Sequence, residues 1–322
     1  MRALILDKTL SFRGDYPRPE PMGDEALVRV SYAGVCATDA ELVKGYMGFN
    51  GVPGHEFTGV VEWAQDKSFV GRRVTGSINI GCGTCTYCAS GLENHCPRRK
   101  VLGILNKDGA FAEYLTLPEK NLHFLPHSIS MKEGVFIEPL AAAFEIIHQV
   151  PVGSGIRAAV LGDGKLGLLA ALVLEQTGCN LTLIGRHPER LEAFKKKGIS
   201  VSCGTENVSC GFDLTVDCTG GGNGLSDALS ITRPRGTVVL KTTVAKRGGE
   251  ALNQAVIDEI TIVGSRCGPF PPAIKAIASG TIDVKPFISA VYPLEDGPCA
   301  IEESVKDSVL KVLISVDDGA GV

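Results

Sequence analysis

The pattern of apolar and polar positions changes character once along the chain, near Glu138. Before that point apolar residues come in short β-branched, aromatic or alternating runs: Met1–Leu6, Ala26–Tyr32, Phe57–Trp63 and Phe111–Leu117. Turns bearing Gly and Pro separate them, which is the pattern of strands. Their irregular spacing predicts a barrel-like β domain. From Ile156 to about Gly264 the pattern alternates. Strand candidates Ile156–Leu161, Leu181–Ile184, Asp213–Cys218, Gly236–Lys241 and Ile260–Val263 are interleaved with helical stretches Lys165–Gln176, Glu189–Lys197 and Gly224–Ile231. Pro188 and Gly198 frame the second helix. Continuous apolar strands alternating with helices predict a parallel, doubly wound sheet. Beyond Gly264, Pro269, Pro271 and Pro272 lead into a helix-like stretch near Ala273–Ser279 and a last apolar run, Val309–Ser315. This tail is small for a domain and is expected to return to the first one.

Composition agrees with two globular domains. The chain has 322 residues, 44% of them hydrophobic and 21% charged, which is neither disordered nor fibrous. A net charge of −4 argues against general nucleic-acid affinity, so Arg98-Arg99-Lys100 reads as a solvated loop. The N-terminus lacks an apolar core followed by a small-residue cleavage site. No stretch of about 18 apolar residues is present to cross a bilayer. A soluble, cytoplasmic protein is expected. Eleven cysteines in a reducing compartment point to metal or catalysis before disulfides.

Four of them cluster: Cys82, Cys85, Cys88 and Cys96. Four thiolates close a tetrahedral zinc shell and leave no place for substrate, so this site reads as structural. A second set is more scattered. Cys36 lies in Gly-Val-Cys-Ala-Thr-Asp, His55-Glu56 in Pro-Gly-His-Glu, and Glu138 in Glu-Pro-Leu. Together they offer a thiolate, an imidazole and one or two carboxylates, a set suited to a catalytic zinc with an open position. Cys179, Cys203, Cys210, Cys218, Cys267 and Cys299 show no ligand spacing and read as small buried residues.

A third motif, Gly162-Asp163-Gly164-Lys165-Leu166-Gly167, is G-x-G-x-x-G. It follows an apolar strand and opens a helical run, the context in which its glycines admit a pyrophosphate at the helix N-terminus. The next strand ends at Gly185-Arg186, where an NAD-binding chain usually places Asp or Glu. No acid stands there, and His187 and Arg190 follow closely. Without that acid a 2′-phosphate is not repelled, and a guanidinium binds one bidentately. NADP is therefore expected in preference to NAD. Thr219, after Asp213–Cys218, falls where the sheet's C-terminal edge meets the cofactor.

In this order the motifs resemble the zinc-dependent medium-chain dehydrogenases, most of all their polyol and threonine dehydrogenase branch. The resemblance spans nearly the whole chain. It implies an α/β protein: a GroES-like β-barrel catalytic domain plus a Rossmann doubly wound parallel sheet. The implied boundaries are 1–137 for the first part of the catalytic domain, with a structural zinc lobe at about 81–97, then 138–268 for the NAD(P)-binding domain, and 269–322 for the return. Cys36 and His55 carry over as ligands of the catalytic zinc. Glu56 and Glu138 are left as alternatives, since in such enzymes either carboxylate binds the metal, stands behind it or acts through water. Asp39 matches a carboxylate that orients the His55 ring.

The implied activity is hydride transfer between an alcohol or polyol, or the matching carbonyl, and NAD(P), with zinc polarising the substrate oxygen. The competing reading is a non-catalytic relative kept as a nucleotide-binding or structural protein. Thr38 is placed to pass the alcohol proton outward. Glu41 stands where many relatives have the histidine that ends this relay, so either Glu41 or water takes the proton. The implied partner is a small alcohol or carbonyl, with no nucleic acid or membrane, in a homodimer or homotetramer. The substrate itself is not legible.

Overall fold

A computed structural model describes residues 1–241 and 252–317. The chain folds as two compact units, Met1–Glu138 with Phe270–Val322, and Pro139–Pro269.

The first unit is built on a seven-stranded sheet. Its neighbours run Ile288–Pro293, Lys311–Ser315, Glu25–Gly34, Glu56–Trp63, Arg73–Gly76 and Leu122–Phe124, with Tyr114–Pro118 also pairing with Glu25–Gly34. Val28, Val30, Phe57, Leu115 and Leu117 fill its core, the buried halves of the alternation read from the sequence. The tail closes on this unit: Lys311–Ser315 pairs antiparallel with Glu25–Gly34 through Leu313↔Gly34. Its outer neighbour Ile288–Pro293 was not foreseen, because Ile-Ser-Ala-Val-Tyr-Pro buries no residue fully.

The second unit is a six-stranded parallel sheet. In space its strands run Ser200–Cys203, Asn180–Gly185, Arg157–Leu161, Phe212–Asp217, Thr232–Leu240 and Thr261–Gly264. Numbered by sequence this is the order 3-2-1-4-5-6, the doubly wound arrangement in which strand order reverses beside the first strand. The reversal falls between Arg157–Leu161 and Phe212–Asp217, whose ends pair at Leu161↔Asp217. Helices Lys165–Glu175, Pro188–Lys195 and Gly224–Ile231 lie within a few residues of the expected limits. Two elements carried little signal. Ser200–Cys203 is a polar edge strand, and the helix Ile137–Gln149 begins on Glu-Pro, where proline suits a first turn.

The six remaining cysteines correct the sequence reading. Cys203, Cys210 and Cys299 are exposed, while Cys179, Cys218 and Cys267 are half-buried. Cys203 ends the edge strand and Cys299 lies in the surface helix Gly297–Ser304, positions that small size alone does not bury.

Candidate active site

The strand Glu25–Gly34 runs out through Val35 to Cys36, where the helix Ala37–Val43 begins. Cys36 is its N-cap, and its amide donates to Asp39 Oδ2 at 2.8 Å. The other oxygen of Asp39 lies 3.3 Å from His55 Nδ1, and both residues are buried. One carboxylate thus fixes the turn that carries the thiol and faces the imidazole ring. Their 3.3 Å approach is not aligned as a hydrogen bond, so His55 Nδ1 and Asp39 Oδ1 form an ion-pair contact only. Burial works against charge on His55. The Asp39 carboxylate and the neighbouring Cys36 outweigh it and hold the imidazole pKa well above its ordinary value.

One donor atom each from Cys36, His55 and Glu56 lies within 4.8 Å of the others. A thiolate, an imidazole and a carboxylate converging in a buried, negatively biased pocket fit one zinc ion. Glu138, in the first turn of Ile137–Gln149, is half-buried and is not part of that cluster.

Glu56 has a second partner that the sequence reading missed. Lys311 Nζ donates to Glu56 Oε2 and lies 3.4 Å from the Val35 carbonyl. Each side chain is only 1% exposed. Burial opposes the ammonium charge, but the Glu56 carboxylate outweighs it and raises the Lys311 pKa, with Cys36 and Glu138 adding to the effect. The available signal was a lysine inside the apolar run Val309–Ser315, since a buried charge requires a partner.

Thr38 is half-buried with Oγ1 3.8 Å from Cys36 Sγ. Glu41 is not drawn in. Its side chain is 57% exposed and pairs with Lys44 at 2.8 Å.

The four-cysteine segment forms a separate lobe. Cys85 Sγ lies 3.5 Å from Cys88 Sγ and 3.7 Å from Cys96 Sγ. A tetrahedral zinc with bonds of about 2.3 Å sets its sulfurs about 3.8 Å apart, so the cage suits that ion. All four donor atoms lie within 4.8 Å of one another. Arg98 is exposed as expected, yet it donates to Cys82 Sγ at 3.2 Å and to Thr84 Oγ1 at 2.9 Å. Hydrogen bonds from Thr84, with smaller help from Cys96 and Arg98, pull the Cys82 thiol down to about 5, towards the thiolate that binds metal.

In the second unit the glycine motif sits at the topological switch. A Cβ on Gly167 would stand 1.8 Å from the Gly162 carbonyl, so glycine is what lets the helix Lys165–Glu175 pack on the turn. Gly164 caps that helix, and a Cβ there would meet nothing within 4 Å. Lys165 and Leu166 form its first turn. Thr219 is brought to the same turn: its N and Oγ1 donate to Asp217 Oδ1 at 3.0 and 2.8 Å, and its Cα would lie 3.0 Å from a Cβ on Gly162.

Asp163, the variable residue between the first two glycines, has a role that the motif did not announce. Its Oδ2 accepts from the amides of Arg186 and His187 at 2.9 and 2.7 Å, and Oδ1 lies 2.9 Å from His187 Nδ1. A Cβ on Gly185 would fall 2.3 Å from Asp163 Oδ2, so the aspartate fills the space of a side chain there. Arg190 is buried and donates to the Asp163 carbonyl at 3.1 Å, whereas Arg186 is exposed.

Comparison with known proteins agrees with this architecture. Residues 22–127 match the alcohol dehydrogenase GroES-like domain, and residues 166–279 match the zinc-binding dehydrogenase family. The 2-dehydro-3-deoxy-L-galactonate 5-dehydrogenase of Pseudoalteromonas atlantica is 30% identical, over 86% of each chain. The sorbitol dehydrogenase of Halalkalibacterium halodurans is 28% identical over 99% of this chain and 100% of its own. Among solved structures, a zinc-binding dehydrogenase from Sinorhizobium meliloti bound to NADP superposes with a TM-score of 0.88, at 27% identity and covering 98% and 99% of the two chains. An alcohol dehydrogenase from E. coli CFT073 complexed with NADH superposes at 0.90, with 25% identity and the same coverage. The chain belongs to the zinc-dependent medium-chain alcohol and polyol dehydrogenases. It is an oxidoreductase that uses zinc and a nicotinamide cofactor.

Proposed function

We propose that this dehydrogenase oxidises a secondary hydroxyl of a polyol or sugar acid with NADP, at a zinc held by Cys36, His55 and Glu56. The observation that carries the reading is the convergence of those three donors beside the Asp39 carboxylate. The polyhydroxylated substrates in the names of the two relatives support the substrate class.

Zinc in such a site acts as a Lewis acid on the substrate oxygen and lowers its pKa, and the nicotinamide supplies the hydride acceptor. The chain's own groups do the rest. Asp39, facing Nδ1 at 3.3 Å, would keep the imidazole in one orientation and leave its other nitrogen for a metal. Lys311 holds Glu56 by one oxygen and balances the charge that two anionic donors bring into a buried site. Thr38, beside Cys36, accepts the hydroxyl proton and hands it to water, because Glu41 is turned to solvent and paired with Lys44. Glu138 acts through its charge on Lys311 and not as a ligand. The first unit is the catalytic domain and the second holds the cofactor, with Gly162, Gly164, Lys165, Leu166 and Gly167 on the pyrophosphate and Gly185, Arg186, Arg190 and Thr219 around the adenosine and the sheet edge.

Preference for NADP rests on the missing acid at Gly185 and the cation at Arg186. The protein works in the cytoplasm, and no helix among the described residues is long and apolar enough to cross a membrane. It acts as a homodimer or homotetramer. The edge strand Thr261–Gly264, paired on one side only among the described residues, offers a second copy unpaired backbone groups. A single monomeric species in sedimentation would contradict this.

Initial rates of cofactor reduction over a panel of polyols, sugar acids and simple alcohols, with NADP and NAD in parallel, test the proposal. Turnover of a polyhydroxylated substrate with NADP is expected, and turnover of simple primary alcohols alone would contradict the substrate class. Thr38→Val should lower turnover about 10²-fold, the low end for a lost proton-transfer group, with KM little changed. An unaltered rate across pH would remove Thr38 from the relay.

A further inference from the structure

The Asp163–His187 pair is the least expected constellation in the cofactor unit. A carboxylate there could do one of two things. It could take the place of the missing acid at position 185 and accept both ribose hydroxyls, which would favour NAD. Otherwise it could be structural and direct another group at the nucleotide. Hydrogen-bond capacity decides between them. A carboxylate offers about four acceptor positions. Oδ2 already accepts two amides, and Oδ1 accepts the imidazole. The side chain is only 6% exposed. It has no pair of free acceptor positions to offer a diol.

We infer that His187 Nε2 is a donor to the 2′-phosphate of NADP, and that Asp163 is the positioning residue that aims it. This rests on the NADP reading above. Asp163 Oδ1 is an acceptor only, so Nδ1 of His187 carries the proton between them. Arg190 Nη1 lies 3.2 Å from the same nitrogen, but two donors do not bond each other, and its hydrogen bond goes to the Asp163 carbonyl. The ring is therefore held on its Nδ1 side while remaining 29% exposed. Nε2 has no partner among the described residues. With Nδ1–H engaged by the carboxylate, donation from Nε2 uses the imidazolium form, whose two N–H groups then meet two anions, the buried aspartate and the arriving phosphate monoester.

Asp163 itself does not repel the phosphate strongly. The amides and the imidazole neutralise it locally, and its side chain is only 6% exposed. Burial pushes its carboxyl up, but the hydrogen bonds from His187 and Arg186 outweigh it and leave the pKa below the ordinary carboxylate value. It is a fixed anion with a fixed direction, which an orienting group requires. Arg186 brings a second, exposed cation to the same turn.

Calorimetric binding of adenosine 2′,5′-bisphosphate and of 5′-AMP to the intact protein separates the possibilities without turnover. The native protein should prefer the bisphosphate by about tenfold or more, the worth of one hydrogen bond to a charged group. His187→Gln should lower that ratio about tenfold, the worth of the lost charged hydrogen bond, and leave 5′-AMP affinity unchanged. Asp163→Asn should lower the ratio in the same direction at unchanged 5′-AMP affinity, and His187→Arg, whose charge needs no orienting carboxylate, should restore it in the Asp163→Asn protein. If Asp163→Asn disturbs the glycine turn, 5′-AMP affinity falls as well, and His187→Gln alone then decides. A native preference that His187→Gln leaves unchanged overturns this inference and leaves the NADP reading on Arg186. No native preference for the bisphosphate overturns both.

Discussion

Serine at position 36 is expected to abolish turnover while leaving the fold intact. The substitution removes one sulfur from the pocket and almost no volume. The hydrogen bond that caps the helix Ala37–Val43 uses the backbone amide of residue 36, so it survives the change. What is lost is the thiolate. A serine hydroxyl does not ionise near neutrality, and His55 with Glu56 is a weaker cage for zinc. Lewis-acid stabilisation is worth several kcal/mol, so kcat/KM should fall by at least about 10³-fold. Zinc content should drop from two ions to one per chain, since the cysteine lobe is a separate site. The melting temperature should hardly move. Activity within about tenfold of the native rate would show that Cys36 is not a ligand.

The second large effect is on stability. Lys311 and Glu56 form a buried ion pair in which each side chain is 1% exposed. Breaking such a pair from one side leaves an uncompensated charge in low dielectric, at a cost of about 3–5 kcal/mol. In protein stripped of metal at this site, where no zinc offsets Glu56, Lys311→Met should therefore lower the melting temperature by on the order of 10 °C. Removing both charges in Lys311→Met/Glu56→Gln should recover most of that loss, because the neutral pair leaves no stranded ion. Calorimetric scans of the two variants check this. A Lys311→Met transition that coincides with the native one would mean that Glu56 is not held in charged form by Lys311.

The sequence made the fold legible wherever period and burial coincide. The strands around Val28, Phe57 and Val160 are buried as their patterns require, and the glycine motif opens a helix. Elements without a strong pattern were not legible. Ser200–Cys203 is held by its neighbour Asn180–Gly185 and not by its own composition. Ile288–Pro293 likewise depends on Lys311–Ser315. At the site, the spacing of Cys82, Cys85, Cys88 and Cys96 is local, and a local cage can be read from a sequence. The candidate donors Cys36, His55 and Glu56 come from segments 19 or more residues apart, so their residue types suggested a set and the resemblance to a known family was needed to give them roles. Lys311 lies 255 residues from its partner, and Asp163 reaches across 24 residues to His187. No period encodes such distances. For Lys311 the clue was a charged residue inside an apolar run; Asp163 stands at the variable position of the glycine motif and gave none. Glu41 shows the reverse: a position matched in sequence to a functional residue, which the fold turns to solvent.

The most direct test of a zinc-dependent dehydrogenase is a single titration on the native protein. Zinc is withdrawn stepwise with a chelator, metal content and the rate of nicotinamide reduction are followed together, and zinc is then returned. The rate should fall to background with the loss of one zinc per chain, ahead of any loss of fold, and should return when zinc is restored. A full rate in protein that holds no zinc would contradict the assignment of Cys36, His55 and Glu56 as a catalytic metal site.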